Sequence, residues 1–207
     1  MATAVKICGI TRVEDGLAAA RCGAHAIGLV FYSRSPRHVS PRQAAAIVRA
    51  LPPFVTAVGL FVDAPPETVR AAAATAAFTL LQFHGSETPE YYRQFALPYM
   101  KAVKVREGVD LLQYAADYHD AKALLLDAHV EGMHGGTGTA FDWEMIPPRM
   151  PLPIVLSGGL HPGNVTDAIR RVRPWAVDVS SGVESAKGVK DAAKIAAFIA
   201  GVRNADV

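Results

Sequence analysis

Eight times along this chain a short run of aliphatic and β-branched residues gives way to a longer Ala-rich or amphipathic segment, and that alternation leaves few folds open. Short apolar runs suit strands buried on both faces, and helical-period segments suit a covering layer, so the pattern predicts a parallel sheet wrapped by helices. Eight such units close the sheet into a (β/α)8 TIM barrel. Strands are expected near Val5 to Gly9, Ala26 to Phe31, Thr56 to Val62, Thr79 to His84, Tyr99 to Val105, Ala123 to Asp127, Pro153 to Ser157 and Ala176 to Ser180. Helices are expected over Asp15 to Cys22, Pro41 to Leu51, Pro65 to Ala74, Thr88 to Phe95, Asp110 to Tyr118, Pro162 to Arg171 and Val189 to Val202. The sixth unit is the weak one, with only Trp143 to Ile146 available for a short helical piece before two prolines. No linker or low-complexity tract divides the 207 residues, so residues 1–207 are expected to form one domain.

Alternation along each strand sorts side chains between the barrel axis and the helices. Cys8 facing inward takes Lys6 with it; the same rule groups Phe61 with Asp63, Gln82 with His84, Leu125 with Asp127 and Asp178 with Ser180. An ammonium inside a barrel needs a partner. Strand eight closes against strand one, so Lys6 is expected to pair with Asp178.

Two turns point to a phosphate. Ile154 to Leu160 reads IVLSGGL and Val177 to Glu184 reads VDVSSGVE, each a strand ending in small residues. Such turns let backbone N–H groups converge on an anion, and the loops after strands seven and eight are the common phosphate position of these barrels. Gly158, Gly159, Ser180, Ser181 and Gly182 are the expected contacts, and a phosphorylated small molecule the expected ligand.

Charge and composition remove other classes. Against 19 acidic residues the 21 basic ones leave a net charge of +2, with no cationic stripe for nucleic acid. No apolar run is long enough to span a membrane, and two cysteines do not make a disulfide framework, so a cytoplasmic setting is expected. Seven histidines invite a metal, but His129, Glu131 and His134 have no ligand spacing, and no metal site is expected. The helix faces show no apolar stripe; a monomer is expected, with a homodimer as the alternative.

The segments KICGIT (Lys6 to Thr11), SPR (Ser35 to Arg37), QFHG (Gln82 to Gly85), Asp127 with GGTG (Gly135 to Gly138) and FDW (Phe141 to Trp143), SGGL and DVSSGVE occur in this order at successive strand ends. Together they resemble the phosphoribosylanthranilate isomerases of tryptophan biosynthesis, across essentially the whole chain. The resemblance implies a cofactor-free Amadori rearrangement of an aminoaldose phosphate to an aminoketose, with Cys8 as general base and Asp127 as general acid. Ring opening needs a proton on the ring oxygen, and the resulting Schiff base must lose a proton from C2. A thiol benefits from a nearby cation, for which Lys6 is the candidate, and Asp127 must hold a proton when it acts. Arg37 is the candidate for the anthranilate carboxylate, with Arg34 in reserve. The GGTG loop is expected to cover the ligand.

Plainer readings stand beside these. Cys8 by itself reads as core packing and Asp127 equally as a helix cap. Asp63 is expected to cap the helix beginning at Pro65. Gln82 and His84 read either as satisfied core groups or as supports of the site, and Cys22 as structural. Rival functions are another phosphosugar barrel enzyme, using paired aspartates or a metal, and a phosphate-binding scaffold without catalysis.

Overall fold

A computed structural model describes residues 2–128 and 142–205. Eight parallel strands close into a barrel in sequential order. They are β1 (Ala4–Ile7), β2 (Ala26–Val30), β3 (Thr56–Phe61), β4 (Leu80–Phe83), β5 (Tyr99–Val105), β6 (Ala123–Ala128), β7 (Ile154–Leu156) and β8 (Ala176–Val179). The seal is a four-residue register between β1 and β8, in which Lys6 lies beside Asp178. Every strand expected from the sequence is present, with ends trimmed or extended by up to two residues.

The helices are α1 (Val13–Cys22), α2 (Pro41–Ala50), α3 (Pro66–Ala76), α4 (Pro89–Tyr92), α5 (Leu111–Asp117), α6 (Val165–Val172) and α7 (Ala192–Ala205), with 3-10 turns at Trp143–Met145 and Ser181–Val183. Two expectations need correction. The helix placed over Thr88 to Phe95 is a single turn, Pro89–Tyr92, and the adjacent rings of Tyr91 and Tyr92 both seat on Phe83, 5.5 and 4.8 Å away between centroids. The last helix begins at Ala192, not Val189. Its expected first residues are instead a strand, β10 (Val189–Lys190), in a two-stranded hairpin with β9 (Glu184–Ala186) that turns on Gly188 at φ +77°. Asp191 then caps α7, its side chain accepting from the backbone N–H groups of Ala193 and Lys194.

The barrel separates two apolar regions. Helix-facing residues such as Ile7, Phe61, Phe83 and Val103 build the large layer against the helices, while Val58, Met100, Leu125 and Val155 fill the barrel's lower interior. Phe61 is therefore helix-facing, and Asp63 does not continue an inner row. Above that packed floor, the inward side chains become polar and reach the C-terminal ends of the strands. No helix among the described residues is long and apolar enough to cross a membrane.

Candidate active site

The pocket at the C-terminal end of the barrel is lined by Cys8, Arg37, Gln82, His84, Asp127, Ser157, Gly158, Gly159, Asp178, Ser180 and Ser181, among others. Residues from six strand ends thus meet where barrel enzymes assemble their chemistry. Most of the candidates read from the sequence line it. Lys6 lies below its floor, Gly182 behind it, and Arg34 is exposed outside it. Gly135 to Gly138 and Phe141, with His129, Glu131 and His134, lie outside the described residues.

Cys8 follows β1, and its backbone N–H donates to Val179 O of β8 at 2.8 Å, which fixes the thiol over the axis. Lys6, two residues earlier on the same face, donates to Asp178 Oδ1 at 2.7 Å, the pairing expected from barrel closure. Asp178 Oδ2 also accepts from Ser157 Oγ at 3.3 Å. Burial pulls the Lys6 ammonium down, but Asp178 and Cys8 outweigh it and leave it above the usual lysine value. Burial pushes the Cys8 thiol up; Lys6 draws it down, Asp178 pushes it up again, and the balance stays above the usual thiol value. The Lys6 cation that faces the thiol is shared with the Asp178 carboxylate. Gly28, inward on β2, makes room for both groups. A Cβ there would stand 2.6 Å from Cys8 Sγ and 3.1 Å from Lys6 Nζ. Its only sequence signal is a glycine inside an apolar strand, which often marks a close approach.

Across the pocket, Gln82 Nε2 and His84 Nδ1 are 3.1 Å apart, and His84 Nε2 is 3.1 Å from Asp127 Oδ2. With the amide donating to Nδ1, the imidazole carries its proton on Nε2 and donates it to the carboxylate. Gln82 Oε1 is buried without a hydrogen-bond partner among the described residues. Asp127 extends from β6 into this pair and caps no described helix.

Asp63 does not cap α3, whose N-terminal residue Pro65 carries no side-chain cap. Held at φ +47°, it instead accepts from Ser86 N–H at 2.6 Å and ties the end of β3 to the loop after His84. That loop is held further by Glu87, which accepts from the N–H groups of Asp63 and Gly85 and pairs with Lys101 Nζ at 3.0 Å.

The two small-residue turns meet. Gly158 and Gly159 adopt φ +82° and +65°, open to glycine at little cost. A Cβ on Gly182 would lie 2.0 Å from Leu160 O, so this glycine lets the turn after β8 press against the turn after β7. The 3-10 turn Ser181–Val183 starts at their junction.

Arg37, from the loop after β2, crosses above Gly9, where a Cβ would meet its Cδ at 2.5 Å. Its Nε and Nη2 donate to Glu184 Oε1 and Oε2 at 2.8 and 2.9 Å. Lys190 Nζ donates to the same Oε1 at 2.8 Å and to Ser180 O at 3.0 Å. Burial opposes the Glu184 charge, yet its bonds to Arg37 and Lys190 hold its carboxyl below the usual range. Burial leaves Lys190 below its usual value despite that partner. The sequence reading gives neither residue a role: Glu184 stands only as the last residue of DVSSGVE, and Lys190 falls in the helix expected from Val189.

The sequence model of the family described as N-(5'phosphoribosyl)anthranilate (PRA) isomerase matches residues 5–201. The chain is 61% identical to the N-(5'-phosphoribosyl)anthranilate isomerase of Nitrosospira multiformis over 98% of this chain and 97% of that protein. Identity to the same-named protein of Dechloromonas aromatica is 58%, over 100% and 99%. Among solved structures, the phosphoribosyl anthranilate isomerase of Thermotoga maritima superposes with a TM-score of 0.90 at 43% identity, covering 98% of this chain and 99% of that one. A second, in complex with reduced 1-(o-carboxyphenylamino)-1-deoxyribulose 5-phosphate, gives 0.87 at 42% identity over 98% and 99%. A third, of monomers generated from the dimeric Thermotoga maritima protein, gives 0.86 at 41% identity over the same shares.

Proposed function

The chain belongs to the N-(5'-phosphoribosyl)anthranilate isomerase family, and on that premise we propose that its pocket converts N-(5'-phosphoribosyl)anthranilate to 1-(2-carboxyphenylamino)-1-deoxyribulose 5-phosphate in tryptophan biosynthesis. The observation that carries this reading is the convergence of Cys8, Asp127 and both small-residue turns on one pocket. Asp127 delivers a proton to the ribose ring oxygen as the amine nitrogen's lone pair opens the ring to a protonated Schiff base. Cys8, as thiolate, then takes the proton from C2, and the C–H electrons form the C1–C2 double bond and neutralise the nitrogen. The enolamine becomes the aminoketone when the C2 hydroxyl loses a proton and C1 gains one.

His84 supports the acid. Its Nε2–H on Oδ2 stabilises the carboxylate left after proton donation, and Oδ1 carries the donated proton. The phosphate sits at the junction of the turns, on amides of Gly158, Gly159, Ser180 and Ser181, with Gly182 permitting the junction. The anthranilate carboxylate meets Arg37. No step calls for a cofactor.

The decisive experiment follows freshly generated phosphoribosylanthranilate by loss of anthranilate fluorescence. Wild type is expected to turn it over, and Cys8→Ser and Asp127→Asn each to lose about 10²- to 10⁴-fold in kcat. Turnover that survives both substitutions in folded protein would leave a binding role or a different pair of groups.

For assembly, a homodimer is favoured over the monomer read from the bare helix faces. Phe54 is fully exposed and Trp175 54% exposed, both in loops entering strands at the end opposite the pocket, and a relative is described as dimeric. Sedimentation should give twice the chain mass; the single mass would restore the monomer.

A further inference from the structure

Arg37 is a long, rotatable side chain asked to present a planar fork to one small anion. Left to itself it would lose side-chain entropy on binding and sample geometries that miss. It is not left to itself. Glu184 takes Nε and Nη2 together, the side edge of the guanidinium, in two bonds of 2.8 and 2.9 Å. Both partners are nearly sealed, with side-chain exposures of 12% and 6%. A guanidinium engaged on its side edge still has one N–H on each terminal nitrogen directed along its end, a second bidentate site.

We infer that Glu184 is a positioning residue that fixes Arg37 side-on, so that the free end edge of the guanidinium selects the substrate carboxylate at a set distance from the phosphate turn. Lys190 sets that distance. It bonds Glu184 Oε1 with one N–H and Ser180 O with another, joining the carboxylate-reading arm to the loop after β8 through one buried ammonium. Lys194 Nζ, donating to Glu184 O at 2.7 Å, and the Asp15 carboxylate, accepting from Lys190 N–H at 3.1 Å, hold the hairpin from α7 and α1. The charge count fits the task. Two cations and one carboxylate leave the cluster net positive, so Arg37 is oriented without being neutralised, in a region where burial strengthens its pull on an anion.

The inference rests on the proposal that Arg37 meets the anthranilate carboxylate, and the test separates the two. Affinities are measured for reduced 1-(o-carboxyphenylamino)-1-deoxyribulose 5-phosphate and for the same compound lacking the carboxyl group, on wild type, Glu184→Gln, Glu184→Asp and Arg37→Lys. The ratio of the two affinities reads carboxylate selection alone. Glu184→Gln keeps the shape but loses one acceptor, and is expected to cut the ratio about tenfold while the carboxyl-free ligand changes by less than about threefold. Glu184→Asp keeps Lys190 paired but is one methylene too short for the bidentate contact, and is expected to cut the ratio similarly, which covers the case in which the glutamine variant does not fold. An unchanged ratio in either folded variant, or equal weakening of both ligands, overturns the inference. Loss of the ratio in Arg37→Lys but not at Glu184 overturns it alone; a ratio intact in Arg37→Lys removes the carboxylate reading of Arg37 as well.

Discussion

Three lysines among the described residues are buried beside a carboxylate, and two of them, on opposite faces of the barrel sheet, do different things. Lys6 points to the axis and pairs with Asp178 at 2.7 Å; Lys101 points to the helices and pairs with Glu87 at 3.0 Å. Around the first, every further contact is a side chain that could take part in chemistry: Cys8 shares the ammonium's field and Ser157 the carboxylate. Around the second, the further hydrogen bonds go to backbone. Lys101 donates to Gly85 O, and Glu87 accepts from the N–H groups of Asp63 and Gly85. Lys6 stands above its usual value, Lys101 below. Burial opposes both charges; only the axial pair, where a thiol adds to the carboxylate, overcomes it. A lysine with a carboxylate thus lies beside the proposed base on one face of the sheet and anchors a loop on the other.

The largest test is Lys6→Met. Its cation is what opposes burial at the Cys8 thiol, and its loss also leaves the Asp178 charge facing that thiol. A general base must be deprotonated, and its raised position means that wild-type kcat/KM should climb with pH through and beyond the ordinary thiol value of about 8.5. In Lys6→Met that climb should move further alkaline, with a deficit near pH 8 of about 10²-fold. A superposable pH profile would detach Lys6 from the base and make the two pairs equivalent.

Gly28→Ala sharpens the axial side without removing a charge. The added methyl would press on Cys8 Sγ, so it should cost about 1–3 kcal/mol by overpacking and reduce kcat by about tenfold through a misplaced thiol. Thermal unfolding and turnover on the same sample separate those effects. Stability lost with kcat intact would reduce Gly28 to packing.

The sequence revealed what is local or strictly periodic. The barrel follows from eight alternating segments, and α1 ends where expected because Gly23 adopts φ +103° there. Helices α3 and α6 close on Ala77 and Arg173 in the same left-handed region, without a glycine to announce it, and their ends fell one or two residues off. Strand alternation places Cys8 and Asp127 on the inner face at strand ends, the resemblance gives them their roles, and small-residue composition marks the two turns. Glu87 with Lys101 and Glu184 with Arg37 were not legible. Their partners come together only through loop paths, and no period connects residues 14 or 147 positions apart. Gly28 gives only the faint signal of a glycine inside an apolar strand, since the side chains it makes room for are across the sheet.

The smallest expected effect on turnover belongs to Lys101→Met, and it bears most directly on the contrast between the pairs. Removing one partner leaves the Glu87 charge buried, held by two backbone N–H groups but no cation, so unfolding free energy should fall by about 3–5 kcal/mol. The loop that Glu87 secures follows His84, yet His84 is itself held from both ends by Gln82 and Asp127. Turnover per folded molecule should therefore stay within about a factor of three, as for a site without shared partners. Chemical denaturation beside kcat at a temperature well below the midpoint makes the comparison. A fall in kcat as deep as that of Lys6→Met would mean that the anchor transmits to the acid through the β4 loop, and that the two faces of the sheet are not energetically separate.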